Sequence, residues 1–169
     1  MSDTTEPKPI INLADVQLRN GGNGKEFQAK VGSFGRLIGS TGLGAMLHVV
    51  EPGQKAFPFH SHHVVHELFV ILEGTGTYRF GNERYPVKAG DVLAAPTGGP
   101  EHAHQLINTG TTTLKYLGIS AAAGQTEVVE YPDSGKFAVT SRYDWATGKG
   151  GVRYIGRQEN SLDYWEGEK

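Results

Sequence analysis

The chain has 169 residues, with 24 Gly, 8 Pro, 7 His and no Cys. The lack of Cys excludes disulfide frameworks, thiolate metal sites and thiol nucleophiles, so any metal would have to take His and carboxylate ligands. Lys and Arg number 16 against 18 Asp and Glu, a net charge of −2 that steers the chain toward neither nucleic acid nor an anionic membrane.

Residues 1–9 read as a disordered lead. They lack the basic and apolar regions of a secretory signal, and no apolar run approaches the ~18 residues that span a bilayer, so the expected location is the cytoplasm. Residues 10–24 hold a short apolar piece (Ile10, Ile11, Leu13, Val16, Leu18) and then a flexible Asn20-Gly-Gly-Asn-Gly24. From about residue 27 short β-type runs alternate with turns. The expected strands are Leu43–Glu51, Glu67–Leu72, Thr77–Phe80, Arg84–Val87, Val92–Ala95, His104–Asn108 and Leu114–Ser120. Between them lie Pro52-Gly53, Glu73–Gly76, Gly81–Glu83, Ala89–Asp91, Pro96–Pro100 and Thr109-Gly110. Short strands at close, regular spacing predict an all-β barrel or sandwich. The Gly81-Asn82 pair supplies the positive φ of a tight hairpin. After Ser120 a loose Ala121–Gly124 precedes a segment with Phe137, Tyr143, Trp145, Tyr154, Tyr164 and Trp165. That tail is too aromatic for a free linker and reads as an arm packed on the barrel or on a second subunit. The expected organisation is an N-terminal arm (1–26), a barrel (27–120) and a C-terminal arm (121–169).

Six of the seven His lie between residues 60 and 104. In the run His60-Ser-His62, alternation puts both imidazoles on one face, where they can chelate one ion. Glu67 heads the apolar run Leu68–Leu72, where a carboxylate is costly unless paired or metal-bound. A third imidazole comes from His102 or His104, which lie two apart at the start of a later strand. Three His and one carboxylate would leave open positions on Fe(II), Mn(II), Ni(II) or Co(II), or a fifth position on Zn(II). His63 reads as solvated and His48 as a strand residue. His66 is placed near the site as an orienting or pocket residue.

These residues resemble the cupin family. Its first motif, G-x5-H-x-H-x3–4-E-x6-G, is matched by Gly53, His60, His62, Glu67 and Gly74, with one extra residue before His60. Its second, G-x5-P-x-G-x2-H-x3-N, is matched by Gly90, Pro96, Gly98, His104 and Asn108, with three extra residues before His104. Asn108 at the family's offset favours His104 over His102. The tail, with Tyr131-Pro-Asp-Ser-Gly-Lys136 and Tyr164-Trp-Glu-Gly-Glu168, is similar to a bacterial single-domain subfamily, some of whose members are assigned as sugar-phosphate isomerases. The resemblance implies a double-stranded β-helix (jelly-roll) barrel with N- and C-terminal arms. It also implies one divalent transition metal in one mouth of the barrel, held by His60, His62, Glu67 and His104, and a homodimer with exchanged N-terminal strands.

Such a site fits a metal-dependent enzyme acting on a small oxygen-rich molecule, by aldose–ketose isomerisation or a related elimination. A proton-moving base is sought among His66, His102 and Tyr116. Arg79, Lys55, Lys115 and His48 are the candidate substrate contacts, the cations being those a sugar phosphate would need. Two alternatives stand beside this: a non-haem metal dioxygenase, and a non-catalytic small-molecule binding or sensor module.

Overall fold

A computed structural model describes residues 7–121, 126–143 and 148–168. The first six residues of the lead, Ala122–Gly124 and Trp145 lie outside them. The strands are β1 (Arg19–Asn23), β2 (Phe27–Ser33), β3 (Leu43–Val50), β4 (Ser61–His62), β5 (Glu67–Glu73), β6 (Thr75–Phe80), β7 (Glu83–Lys88), β8 (Val92–Ala95), β9 (His104–Ile107), β10 (Leu114–Ala121), β11 (Glu127–Tyr131), β12 (Lys136–Ser141) and β13 (Val152–Gly156). Only short 3-10 turns accompany them, so among the described residues no helix is long and apolar enough to cross a membrane.

The fold is all-β, as the turn spacing predicts. One antiparallel sheet runs β1-β2-β3-β10-β5-β8, a second runs β7-β6-β9, and a third runs β13-β12-β11-β4. Turn chemistry sets the boundaries. Gly81 has φ 53° and starts the two-residue loop between Phe80 and Glu83, which pair across the hairpin. Gly74 has φ 81°, and a Cβ there would collide with the Thr113 carbonyl, so only Gly fits between β5 and β6.

The barrel interior lies between the first two sheets. It holds Val50, Phe69, Ile71, Tyr78, Val87, Leu106, Leu114 and Tyr116, supplied by alternate positions of β3, β5, β6, β7, β9 and β10. A smaller cluster of Val16, Phe34 and Leu47 lies on the other side of β3, where the N-terminal segment covers it. Asn108, fully buried after β9, donates to the carbonyls of Val50 (2.7 Å) and Thr112 (2.9 Å) and accepts from the Gly110 amide (3.0 Å), fixing the turn into β10.

Two segments differ from the expectation. Asn20–Gly24 is not loose: Arg19–Asn23 pairs along its whole length with β2. All five of its residues are exposed, so it is held by backbone ladder bonds and shows no apolar alternation to read. The C-terminal segment is also strand-forming, and β11 pairs with β4 through Val129↔His62 and Glu130↔Ser61. It therefore lies alongside the first His motif.

Candidate metal centre

His60 and His104 come from separate motifs but face each other as a backbone pair. The His60 amide donates to the His104 carbonyl at 3.2 Å and the His104 amide to the His60 carbonyl at 2.8 Å. Their rings lie 4.6 Å apart between centroids. His62 follows on the same face two residues later, and the Gly98 amide donates to its carbonyl at 2.9 Å. Glu67 opens β5 and is paired with Ser120 of β10 and Ala95 of β8, which anchors the carboxylate's backbone in the main sheet.

The four side chains converge. One donor atom from each of His60, His62, Glu67 and His104 lies within 4.8 Å of the others. Glu67 Oε2 is 3.1 Å from His104 Nε2, 3.4 Å from His62 Nε2 and 3.9 Å from His60 Nε2. The opposite ring nitrogens face outward to acceptors. His60 Nδ1 is 2.8 Å from the Pro58 carbonyl, and His104 Nδ1 is 3.3 Å from the His102 carbonyl. A carbonyl only accepts, so each Nδ1 carries a proton, and with a metal bound each Nε2 lone pair would face the centre. His62 Nδ1 is 3.6 Å from Glu127 Oε2. Three imidazole Nε2 atoms gathered around one carboxylate oxygen form a donor set that fits a divalent metal.

The electrostatics divide the histidines. Burial dominates at His60 and, helped by the neighbouring His104 and His62, pulls it down to about 4, so it is neutral at pH 7. Burial also pulls at His62, but the carboxylates of Glu127 and Glu67 outweigh it and push that imidazole up to about 9. Glu67 is held well below the usual carboxylate range: burial opposes this, and His104 and His62 override it.

The three residues inserted before His104 form part of a 3-10 turn, Pro100–His102, which carries His102 away from the centre. Its Nδ1 lies 2.7 Å from the Thr97 carbonyl and its ring stacks on Phe80. His104 therefore joins the other three donors, and His102 does not. His66 is exposed. His63 pairs with Glu130 at 2.6 Å, on the opposite face from the centre.

Tyr116 is buried, stacks on the buried His48 at 4.4 Å, and is held protonated by burial and by the Glu67 charge. Burial pulls His48 down to about 4, leaving it neutral. Gly118 makes room for it, since a Cβ there would come within 2.9 Å of the His48 ring. The three candidate cations all have carboxylate partners. Arg79 meets Asp133 in a two-point pair (2.7 and 2.8 Å) with its guanidinium over Phe59, Lys55 meets Glu26 at 2.8 Å, and Lys115 meets Glu73 at 3.1 Å.

A cavity of about 20 Å³ adjoins the centre. Beside His60 and His104 it is walled by Phe57, Phe69, Leu106 and Tyr116, with no cationic side chain in its lining. Two residues near the site escape a reading of the sequence. Glu127 approaches His62, and Tyr131 stacks at 6.2 Å on His60. Both lie on β11, and the alternation Glu127-Val-Val-Glu-Tyr131 was the available signal that they share a face.

Residues 46–120 match the family model described as a cupin domain. This segment is a cupin domain. Over 118 residues the chain is 29% identical to the oxalate-binding protein of Thermotoga maritima, a match covering 70% of this chain and 88% of that protein. Over 69 residues it is 36% identical to an uncharacterised protein of Methanocaldococcus jannaschii, covering 41% of this chain and 52% of the relative, so the chain spans about half of that relative's length. Among solved structures, a candidate sugar phosphate isomerase of Acidithiobacillus ferrooxidans has a similar fold. Its TM-score is 0.75 at 24% identity, over 92% of this chain and 96% of that one. Cover that wide extends beyond the cupin domain into the flanking segments, so the surrounding strands belong to the shared fold.

Proposed function

We propose that this cupin binds one divalent transition metal (Fe, Mn, Ni, Co or Zn) through His60, His62, Glu67 and His104 and acts as an enzyme on a small oxygen-rich molecule. The observation that carries the reading is the set of four donors within 4.8 Å beside a small, mainly apolar cavity. The metal would supply Lewis acidity to adjacent hydroxyl and carbonyl or carboxylate oxygens. The chain's own residues would do the rest. Phe57, Phe69 and Leu106 exclude water, and Tyr116, kept protonated, donates a hydrogen bond rather than abstracting a proton. A cavity with room for about one water suits a compact ligand, or one that enters only in part. The oxalate-binding relative supports a ligand with adjacent oxygens.

A second reading, a sugar phosphate isomerase, is supported by the whole-chain likeness to the Acidithiobacillus structure. It would require Arg79, Lys55 or Lys115 to leave a carboxylate partner in order to hold the phosphate. A homodimer is part of the proposal: Leu162, Tyr164 and Trp165 are exposed and offer apolar area to a second copy.

The test is elemental analysis of protein purified without chelator, followed by calorimetric titration of the metal-loaded chain with oxalate, a hydroxy-aldehyde, a free aldose and an aldose phosphate. About one metal per chain, with binding of the unphosphorylated ligands, is expected. No metal before or after loading with any of the five ions overturns the metal reading. Selective binding of the aldose phosphate favours the second reading.

A further inference from the structure

We propose that Glu127, supplied by β11 of the C-terminal segment, is a positioning residue that locks the His62 ring for metal binding, so that the C-terminal segment completes the centre. The inference rests on the metal reading above and deepens it. Glu127 lies outside the segment that matches the cupin domain.

The side chain is buried, and its carboxylate is gathered into backbone amides. Oε1 accepts from the amides of His63 (3.0 Å), Val64 (3.1 Å) and Val128 (2.9 Å), and Oε2 accepts from the amide of Val65 (2.7 Å). Four N–H donors on one buried carboxyl favour its charged form, so the group is held as an anion. Three of the four amides belong to the loop between His62 and Glu67. One carboxylate therefore fixes the path of the chain between two of the four metal donors.

The remaining neighbour of Oε2 is His62 Nδ1, at 3.6 Å. That nitrogen is buried and, among the described residues, has no hydrogen-bond partner within 3.5 Å. His60 and His104 have backbone carbonyls for the same purpose, and among the described residues His62 has this carboxylate facing its Nδ1. An anion beside Nδ1 keeps the proton there, directs the Nε2 lone pair inward and raises the basicity of the ring. The strand register agrees. Val129 pairs with His62, so Glu127, two residues earlier, projects from the same face of β11 as Val129, toward the side on which His62 lies.

The test uses the full chain and Zn(II), with Glu127→Gln and Glu127→Asp as variants and His63→Ala as a control that leaves the amide cluster in place. Gln keeps the size of the side chain but removes the charge. Asp keeps the charge and offers partial rescue if Gln unfolds. Competition with a chromophoric chelator gives the affinity, and nitrogen-15 NMR of the Zn-loaded protein reports the His62 Nδ1 proton. Expected are a loss of about 10–100-fold in Zn affinity for Glu127→Gln, a smaller loss for Glu127→Asp, and none for His63→Ala. The His62 Nδ1–H signal, sharp in the parent, should broaden or shift in Glu127→Gln. Affinity within threefold of the parent for both Glu127 variants, with an unchanged His62 signal, overturns the assignment. A parent chain that binds no Zn overturns the metal reading itself, which the parent titration shows separately.

Discussion

His62 gives the sharpest prediction. In the metal-free chain its imidazole is raised from 6.5 to about 9 because Glu127 and Glu67 outweigh the cost of burial. A raised folded value means that the charged imidazole stabilises the metal-free fold fully below about pH 6.5. That contribution is lost as pH rises through about 9. The same proton competes with a metal for the ring. At pH 7 the ring is almost wholly protonated, so each metal bound should expel about one proton, and affinity should gain about tenfold per pH unit until the ring titrates. Between pH 7 and 8.5 the gain is about thirtyfold, ~2 kcal/mol at ~1.4 kcal/mol per unit. His60, pulled down to about 4, is already neutral across this range and adds no slope. Calorimetric titration with Mn(II), in buffers of different ionisation enthalpy and corrected for buffer binding, yields both the affinity and the number of protons released. An affinity flat from pH 7 to 8.5 with no proton released would refute the charged-His62 argument.

Four substitutions probe the site and the turn behind it. His60→Ala and Glu67→Ala should each weaken metal binding by about 100-fold or more, and His63→Ala, whose ring pairs with Glu130 on the other face, should change it by less than about threefold; equal losses measured by chelator competition would show that the facing of the strand has been misread. Asn108→Ala removes the buried amide's three hydrogen bonds and should cost about 3 kcal/mol in urea unfolding, whereas a loss below about 1 kcal/mol would mean that the turn into β10 is held by its backbone alone.

The barrel strands were legible because their signals are local. Turn residues such as Gly81 and Gly74 fall where the chain reverses, and β-type runs fill the space between them. The His60-Ser-His62 spacing is legible for the same reason, since alternation needs only neighbouring positions. The offset to Asn108 already favoured His104 over His102, and the 3-10 turn at Pro100, which absorbs the extra residues and carries His102 aside, supplies the physical reason. β1 escaped because Arg-Asn-Gly-Gly-Asn has no apolar face and is paired only through its backbone. Glu127 escaped because its partners are main-chain amides 62 to 64 residues away, which no side-chain pattern encodes. Arg79 read as a possible phosphate contact because Asp133, its partner, is 54 residues distant.

The four donors are held by two kinds of scaffold, and the difference bears on how the centre assembles. His60 and His104 exchange both backbone hydrogen bonds, so forming the bridge between the two motifs brings their rings together without help from any residue beyond β10. Glu67 is set by its place between β8 and β10. Glu67 and His104 are fixed by the ladder bonds that hold the barrel and His60 by its bridge to His104, so a perturbation that displaced them would cost global stability. His62 is different. It lies on a two-residue strand whose ladder partner is β11, and its outward nitrogen faces a side chain from that same strand. If β11 detaches, three donors stay in place and the fourth loses both its pairing and its orientation. A chain of this design can open the centre to ligand or metal at the cost of the two pairs that join β4 to β11. Hydrogen exchange should therefore find the amides of β11 less protected than those of β5 and β10 when the metal is absent.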